Sequence, residues 1–404
     1  MRITGIETLH ADGGWRTISF VKLSTDVGIT GWSEYVETVW NPGLTPVIGA
    51  MAEHAIGQDP RAYLQLSTRL QIAGRLAAGG LTMQAAAAIE NAAIDAAAKA
   101  AGIPAWRLLG GPIRASVPVY WSHAGVFRAV NPRVFEDLVG TPPLRSVDGF
   151  KAIGEEARAL GFTALKTNPV RFTANGPVMP NPGFRPAADH DPSGNGRLYP
   201  LAGLIEQLEA LRDGAGPDME IMLDLNFSLR GEGIRRVAQE LDRLGLAWME
   251  IDTDAPAALA DVRQRLRTPI ASLESLHGVV EYRPWLEERA TDVALIDPSW
   301  NGVIQGLRIA AFADALGIQV AAHNCYGHLG DRISAAFCAC IPNLRIMEIE
   351  WDDVPWHDDL VDNVPIVANG QFPLDERPGW GCDVNEEAVR AHPPRHDPAR
   401  PWLQ

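Results

Sequence analysis

Apolar and polar positions alternate with a period of two through three N-terminal segments, MRITGIETLHA, ISFVKLST and ITGWSEY. The last two are joined through Asp26-Val27-Gly28. This alternation predicts an antiparallel meander with one buried face. Over residues 44–101 the period becomes helical. The last of these helices, about 81–101, gathers Ile89, Ala93, Ile94 and further alanines on one face and stops at Gly102 and Pro104. Residues 1–113 are therefore expected to form an α+β domain.

After Gly110-Gly111-Pro112 the pattern changes again. Eight short apolar runs follow: VPVYWSH, ALKTN, IMLDLN, WMEID, PIASLES, DVALIDPS, QVAAHN and IMEIEW. Amphipathic helical patterns such as RRVAQELDRL, ALADVRQRL and VIQGLRIAAFADAL separate the later ones. Continuous apolar strands alternating with helices predict an α/β fold with a parallel barrel and outer helices. An open doubly wound sheet usually carries a Gly-rich turn after its first strand, and none follows residues 117–123. The eighth run leads into DDVPWHDDLVDNVPIVANGQFPL rather than a helix. The expected architecture is thus a (β/α)7β modified TIM barrel over residues 114–354, with segment 355–404 packing back on the capping domain. Two long loops, 124–148 and 171–198, follow the first two strands, on the side where such barrels carry their chemistry.

Composition narrows the function classes. Of 404 residues, 46% are hydrophobic and 21% charged, enough apolar material for a large core. Lys plus Arg is 35 and Asp plus Glu is 50, giving a net charge of −15 with no basic cluster. Nucleic acid and anionic membranes are therefore poor partners. No apolar run approaches the ~18 residues of a membrane span, and MRITGIETLH lacks an apolar signal core. Four cysteines are too few for a disulfide framework, so a reduced, cytoplasmic setting is expected. Cys338 and Cys340 lie in the apolar run ISAAFCACI and are expected in the core rather than on a metal.

The chemistry is carried by the strand ends. Lys166, Asp224, Glu250, Glu274, Asp297, His323 and Glu348 close successive runs, and from Asp224 onward they recur every 23 to 26 residues, about the length of one strand–helix unit. Each strand from the third to the eighth would thus deliver one ionisable group to a common cavity. Asp224, Glu250 and Glu274 on neighbouring strands would repel one another. A divalent cation removes that repulsion, and hard carboxylate ligands suit Mg²⁺. Asp297 and His323 end adjacent strands, where the carboxylate would fix the imidazole tautomer of a general base or acid. Lys166 faces this dyad across the barrel, as a proton-transfer group or in a salt bridge with Asp224 or Glu250. Asn168 and Asn226 lie two residues beyond Lys166 and Asp224 and share their inward face. Glu348, if protonated, could donate to an oxyanion. His328, in HNCYGHLG, is a candidate for either a substrate contact or a structural role.

This ordered set resembles the enolase superfamily, and in particular its mandelate racemase branch. The strand-and-helix cap, the barrel, the Asp224, Glu250 and Glu274 set and the Asp297–His323 pair carry the likeness over nearly the whole chain. The ends GWGCDVNEEAVRAHPP and EIEWDDVPW are similar to those of acid-sugar dehydratases in that branch. The resemblance implies a homo-oligomeric hydro-lyase in which Mg²⁺ binds the carboxylate of a sugar acid and stabilises the enediolate formed when the α-proton leaves. It implies a cap loop near Trp15-Arg16 that helps select the substrate. His323 would act as base, as the acid that expels the 3-hydroxyl, or as both, and Lys166 and Asn168 would neutralise charge from the other side. Three positions depart from the branch. Its Lys-x-Lys is Lys166-Thr167-Asn168 here, its Glu-Glu-Pro is Glu250-Ile251-Asp252, and the Asp-x-His of galactonate dehydratases has Asn226 in place of histidine. Racemisation, epimerisation or cycloisomerisation of a carboxylate is the alternative within the same fold. It needs two bases on opposite faces, and the missing second lysine weakens that alternative. A non-catalytic sugar-acid binding protein is the alternative of a different class.

Overall fold

The computed structural model describes residues 1–38, 41–180 and 199–395. The meander forms as β1 (Ile3–Asp12), β2 (Thr17–Thr25) and β3 (Thr30–Tyr35), antiparallel in that order. Its inner face packs on the helix Gly80–Ala101, with the helices Leu44–Ala52 and Tyr63–Ala73 completing the core. The alanines of the long helix permit a close approach. A Cβ on Gly31 would stand 2.1 Å from the Ala92 carbonyl oxygen, so the strand needs glycine there.

The barrel follows. Its first two strands are β4 (Ser116–Trp121) and β5 (Ala164–Thr167). A small hairpin, β6 (Arg171–Thr173) and β7 (Gly176–Val178), opens the long second loop. The remaining strands are β8 (Glu220–Asp224), β9 (Trp248–Glu250), β10 (Ile270–Ser272), β11 (Val293–Ile296), β12 (Gln319–Ala322) and β13 (Leu344–Ile349). Leaving the hairpin aside, neighbours pair in parallel from β4 to β13, and β13 pairs with β4 to close the ring. All eight expected runs are strands. Seven helices alternate with them: Gly149–Ala159, Leu201–Ala215, Glu232–Leu241, Pro256–Arg263, Gly278–Glu287, Val303–Ala315 and His328–Cys340. After β13 the chain instead lays β14 (Gln371–Pro373) antiparallel beside β4. The fold is the α/β barrel with an N-terminal cap that the periodicity predicts.

One layer of side chains plugs the barrel. Tyr120, Ala164, Met222, Trp248, Ala271, Leu295, Ala321 and Ile346 come one from each strand and form one buried cluster. Because successive strand residues alternate sides, the residue two positions further on faces inward again. On seven strands those residues are Ser122, Lys166, Asp224, Glu250, Asp297, His323 and Glu348, whereas after β10 the positive φ of Leu273 (94°) breaks the alternation and Glu274, one residue later, joins the site. The floor of the site is thus set by the plug beneath it.

The C-terminal segment returns to the cap. The Trp380 backbone N–H donates to Asp95 Oδ1 at 2.8 Å, and its indole N–H donates to the Trp32 carbonyl at 3.0 Å. Residues 124–148 fold into short helical turns that begin at Val126–Val130. Most of the other long loop, residues 181–198, lies outside the described residues. Cys338 is buried and Cys340 half-buried, and neither belongs to a potential metal-ligand cluster among the described residues. No described helix is long and apolar enough to cross a membrane.

Candidate active site

The C-terminal mouth of the barrel gathers the ionisable residues. On one side, donor oxygens of Glu250, Asp252 and Glu274 all lie within 4.8 Å of one another. Asp224 stands beside them. Its Oδ1 accepts the Asn226 backbone N–H at 2.7 Å, and its Oδ2 accepts the side-chain amides of Asn168 at 2.9 Å and Asn226 at 2.8 Å. The two asparagines therefore hold the orientation of Asp224. Asn226 adopts a positive φ of 46°, in the left-handed region that asparagine tolerates.

Glu250 Oε1 and Asp252 Oδ2 are buried without a hydrogen-bond partner. Burial first, and then the charges of Asp224 and Glu274, push Glu250 well above the ordinary carboxylate range. Burial with Glu274 and Asp224 pushes Asp252 up to about 8. Buried orphan carboxylate oxygens converging on one point are expensive unless a cation joins them. Oxygen-only donors on rigid strand ends are the chemistry of a hard divalent ion. These residues fit Mg²⁺.

On the other side stands the dyad. His323 Nδ1 is 2.7 Å from Asp297 Oδ2. Asp297 also caps the helix Pro298–Asn301, its Oδ1 accepting the N–H groups of Ser299 at 2.7 Å and Trp300 at 2.8 Å. The Tyr326 hydroxyl donates to its Oδ2. Asp297 is thereby fixed as an acceptor, and His323 Nδ1 carries the proton. The opposite ring nitrogen, Nε2, opens into the site at 3.4 Å from Glu274 Oε2, 4.0 Å from Glu348 Oε2 and 4.0 Å from Cys325 Sγ.

Lys166 is buried between two carboxylates, with Nζ 2.9 Å from both Glu250 Oε2 and Glu348 Oε1. Burial opposes its charge, yet Glu250 and Glu348 outweigh burial and raise it well above the usual lysine range. It is a held cation. Glu348 also accepts the Ser122 hydroxyl and, at 3.0 Å, the Asn324 N–H. Burial pushes its carboxyl up, but the Lys166 ammonium beside it brings it well below the ordinary range. The oxyanion-donor role suggested for Glu348 requires a proton that this arrangement disfavours.

The outer candidates lie farther up the mouth. Trp15 stacks on Phe127, ring centroids 4.0 Å apart, and donates its indole N–H to the Asp352 carbonyl at 3.3 Å. Arg16 is buried over the Trp15 ring. It donates to the carbonyls of Cys325 at 3.0 Å and Tyr326 at 3.1 Å and to the Asp353 carboxylate. The cap thus clamps the loop that follows His323. His328 is turned to Asp358 at 2.7 Å and stacks on His357 at 4.0 Å, in a cluster apart from the dyad.

Four residues at the mouth escaped the sequence reading: His123, Asp252, Tyr326 and Glu350. Asp252 and Glu350 lie four positions past the plug residues of their strands, on the same inward register as Asn168 and Asn226. That period-two signal was available. Tyr326 reaches Asp297 from a loop and leaves no periodic trace.

Residues 10–110 match the mandelate racemase / muconate lactonizing enzyme N-terminal domain family, and residues 150–388 match the enolase C-terminal domain-like family. The chain is 28% identical over 398 residues to a D-xylonate dehydratase of Haloferax volcanii, an alignment covering 96% of this chain and 88% of that one. It is 25% identical over 392 residues to a D-mannonate dehydratase of Caulobacter vibrioides, covering 94% and 92%. Among solved structures, a Burkholderia xenovorans protein described as an L-alanine-DL-glutamate epimerase, bound to magnesium and fumarate, aligns with a TM-score of 0.93 at 44% identity, covering 100% of this chain and 98% of that one.

Proposed function

Since the chain belongs to the mandelate racemase and muconate lactonizing enzyme family of the enolase superfamily, we propose that it is a Mg²⁺-dependent hydro-lyase that dehydrates a sugar acid. The observation that carries this reading is the His323–Asp297 dyad opening onto the carboxylate cluster. Asp224, Glu250 and Glu274 would hold the cation, with Asp252 beside them. When bound, it supplies positive charge that draws in the substrate carboxylate and acidifies the neighbouring C2 proton.

The remaining work belongs to the chain. His323 Nε2 takes the C2 proton, and Asp297 stabilises the imidazolium that results. Lys166 balances Glu250 and Glu348 and adds positive charge on the opposite side, while Asn168 and Asn226 keep Asp224 in place. Trp15, Arg16 and His328 would shape the mouth that meets the rest of the sugar chain. Loss of the 3-hydroxyl as water leaves an enol that becomes a 2-keto-3-deoxy acid. Names of relatives at 25–28% identity support this reaction class.

Epimerisation, suggested by the description of the Burkholderia protein, requires a second free base. Lys166 is a poor one, being locked between two carboxylates. A screen of D-xylonate, D-mannonate and D-galactonate for Mg²⁺-dependent ketone formation tests the proposal. Ketone from one of them is expected. An enzyme that exchanges the C2 proton but forms no ketone from any 3-hydroxy acid would reject it.

A further inference from the structure

A second imidazole stands at the mouth, unused by the chemistry above. His123 follows β4, where strand alternation would send its side chain away from the interior. Its φ of 48° breaks that alternation, an uncommon conformation that histidine, like asparagine and aspartate, adopts more readily than other non-glycine residues. The turned ring lies against β13. Nδ1 is 2.9 Å from Glu350 Oε2 and 3.1 Å from Ser122 Oγ. Phe127 packs on the ring at 4.4 Å, and Phe127 in turn carries the cap's Trp15. The ring edge bearing Nε2 makes no hydrogen bond among the described residues, and the side chain is 18% exposed.

The proton on this pair can be placed. The Ser122 hydroxyl is directed at Glu348, so it does not donate to His123. Glu350 Oε1 is buried with no partner, an arrangement costly for an ionised carboxylate and natural for a neutral acid. Glu350 therefore donates Oε2–H to His123 Nδ1, and His123 holds its own proton on Nε2. The electrostatics agree. Burial, opposed by Arg16 and aided by Asp352 and Asp353, lifts Glu350 well above its usual range. Burial likewise lowers His123 to about 4, although Glu348 and Asp224 pull the other way.

Ring order supplies the position. β4 lies opposite β10 in the eight-strand ring, and Glu274 of the carboxylate cluster follows β10. A substrate whose carboxylate sits at the cluster and whose C2 meets His323 extends its chain toward β13 and β4. This inference rests on the dehydratase reading of the preceding subsection. We propose that His123 is the general acid that protonates the departing 3-hydroxyl, with Glu350 as its proton reserve.

The step balances. The C2 proton moves to His323 Nε2, and the C2–H electron pair becomes the C2–C3 double bond. The C3–O pair leaves with oxygen, which takes the His123 Nε2 proton and departs as water. Glu350 passes its Oε2 proton to His123 Nδ1, so the imidazole ends neutral and the carboxylate ionised.

The test uses His123→Gln in the Mg²⁺-loaded enzyme, with whichever of D-xylonate, D-mannonate or D-galactonate the wild type dehydrates, and with the 3-deoxy-3-fluoro analogue of that acid. Fluoride leaves without needing a proton. The variant is expected to keep C2 proton exchange in D₂O within about threefold and to lose ketone formation from the hydroxy acid by roughly 10²–10⁴-fold. It should release fluoride from the analogue at near the wild-type rate. Glu350→Gln should show the same selective loss in weaker form. Wild-type dehydration by His123→Gln overturns the assignment. So does a loss that falls equally on exchange, dehydration and fluoride release, because that marks a structural role. A wild type that exchanges C2 but makes no ketone overturns the dehydratase reading itself, and this acid with it.

Discussion

At the residue scale, the site depends on two kinds of electrostatic pairing with opposite purposes. Lys166 neutralises carboxylates that are already charged, whereas Asp297 supports the proton on His323, which burial opposes but Glu274 and Asp297 favour. Replacing Asp297 by Asn leaves the shape but removes the charge and the Nδ1–H acceptor. We expect kcat to fall roughly 10²–10⁴-fold while Mg²⁺ affinity, measured by calorimetry, stays within twofold. An unchanged rate would remove Asp297 from the mechanism. Glu250→Gln acts on the other face. It withdraws one charge from the convergent set and weakens the Lys166 pair. Mg²⁺ affinity should drop at least tenfold with the fold retained by circular dichroism, and unchanged affinity would exclude Glu250 as a ligand. Most strand-end residues were legible because they sit on the inward register of their strands; Glu274, one position past that register, was legible only through its spacing from its neighbours. His123 was not, because a single positive φ takes it off that register. Hydrophobic periodicity cannot report a backbone dihedral. The orphan oxygen of Asp252, which marks it as part of the carboxylate cluster, likewise depends on three-dimensional placement.

At the element scale, the cap reaches into the barrel through Glu34 at the end of β3. Its Oε1 accepts the Gly327 N–H at 2.5 Å and its Oε2 the Gly330 N–H at 2.9 Å, both at the start of the helix His328–Cys340. A buried carboxylate there meets the orphan amides and the positive end of the helix dipole. It also fixes the loop carrying Cys325 and Tyr326, and Tyr326 holds Asp297. Glu34→Ala should lower stability by about 1–3 kcal/mol in denaturant titration and reduce kcat as well. A stable variant with wild-type turnover would show that the loop is positioned by Arg16 alone. The strands and helices themselves were plain in the sequence, since each satisfies one period over its length. The contact between Glu34 and a helix almost three hundred residues away is carried by one polar residue, which no period announces.

At the scale of the whole molecule, the cap and the C-terminal segment meet at Asp95. One oxygen accepts the Trp380 N–H and the other the Trp32 N–H, each at 2.8 Å, with Lys99 2.6 Å away. Asp95→Ala would leave two buried amides unpaired and Lys99 held only by Asp383 and the Thr30 carbonyl, with an expected loss of about 1–3 kcal/mol for each orphaned amide. The thermal midpoint should fall accordingly, and an unaltered midpoint would contradict this account of how the cap and the C-terminal segment are joined. The central claim concerns chemistry, and one measurement addresses it most directly: the product formed in D₂O, with Mg²⁺, from whichever of D-xylonate, D-mannonate and D-galactonate is turned over. The account predicts a 2-keto-3-deoxy acid in wild type and its loss in His323→Asn. A C2 epimer carrying deuterium, with no ketone, would contradict it, and Lys166 would then have to serve as a second base.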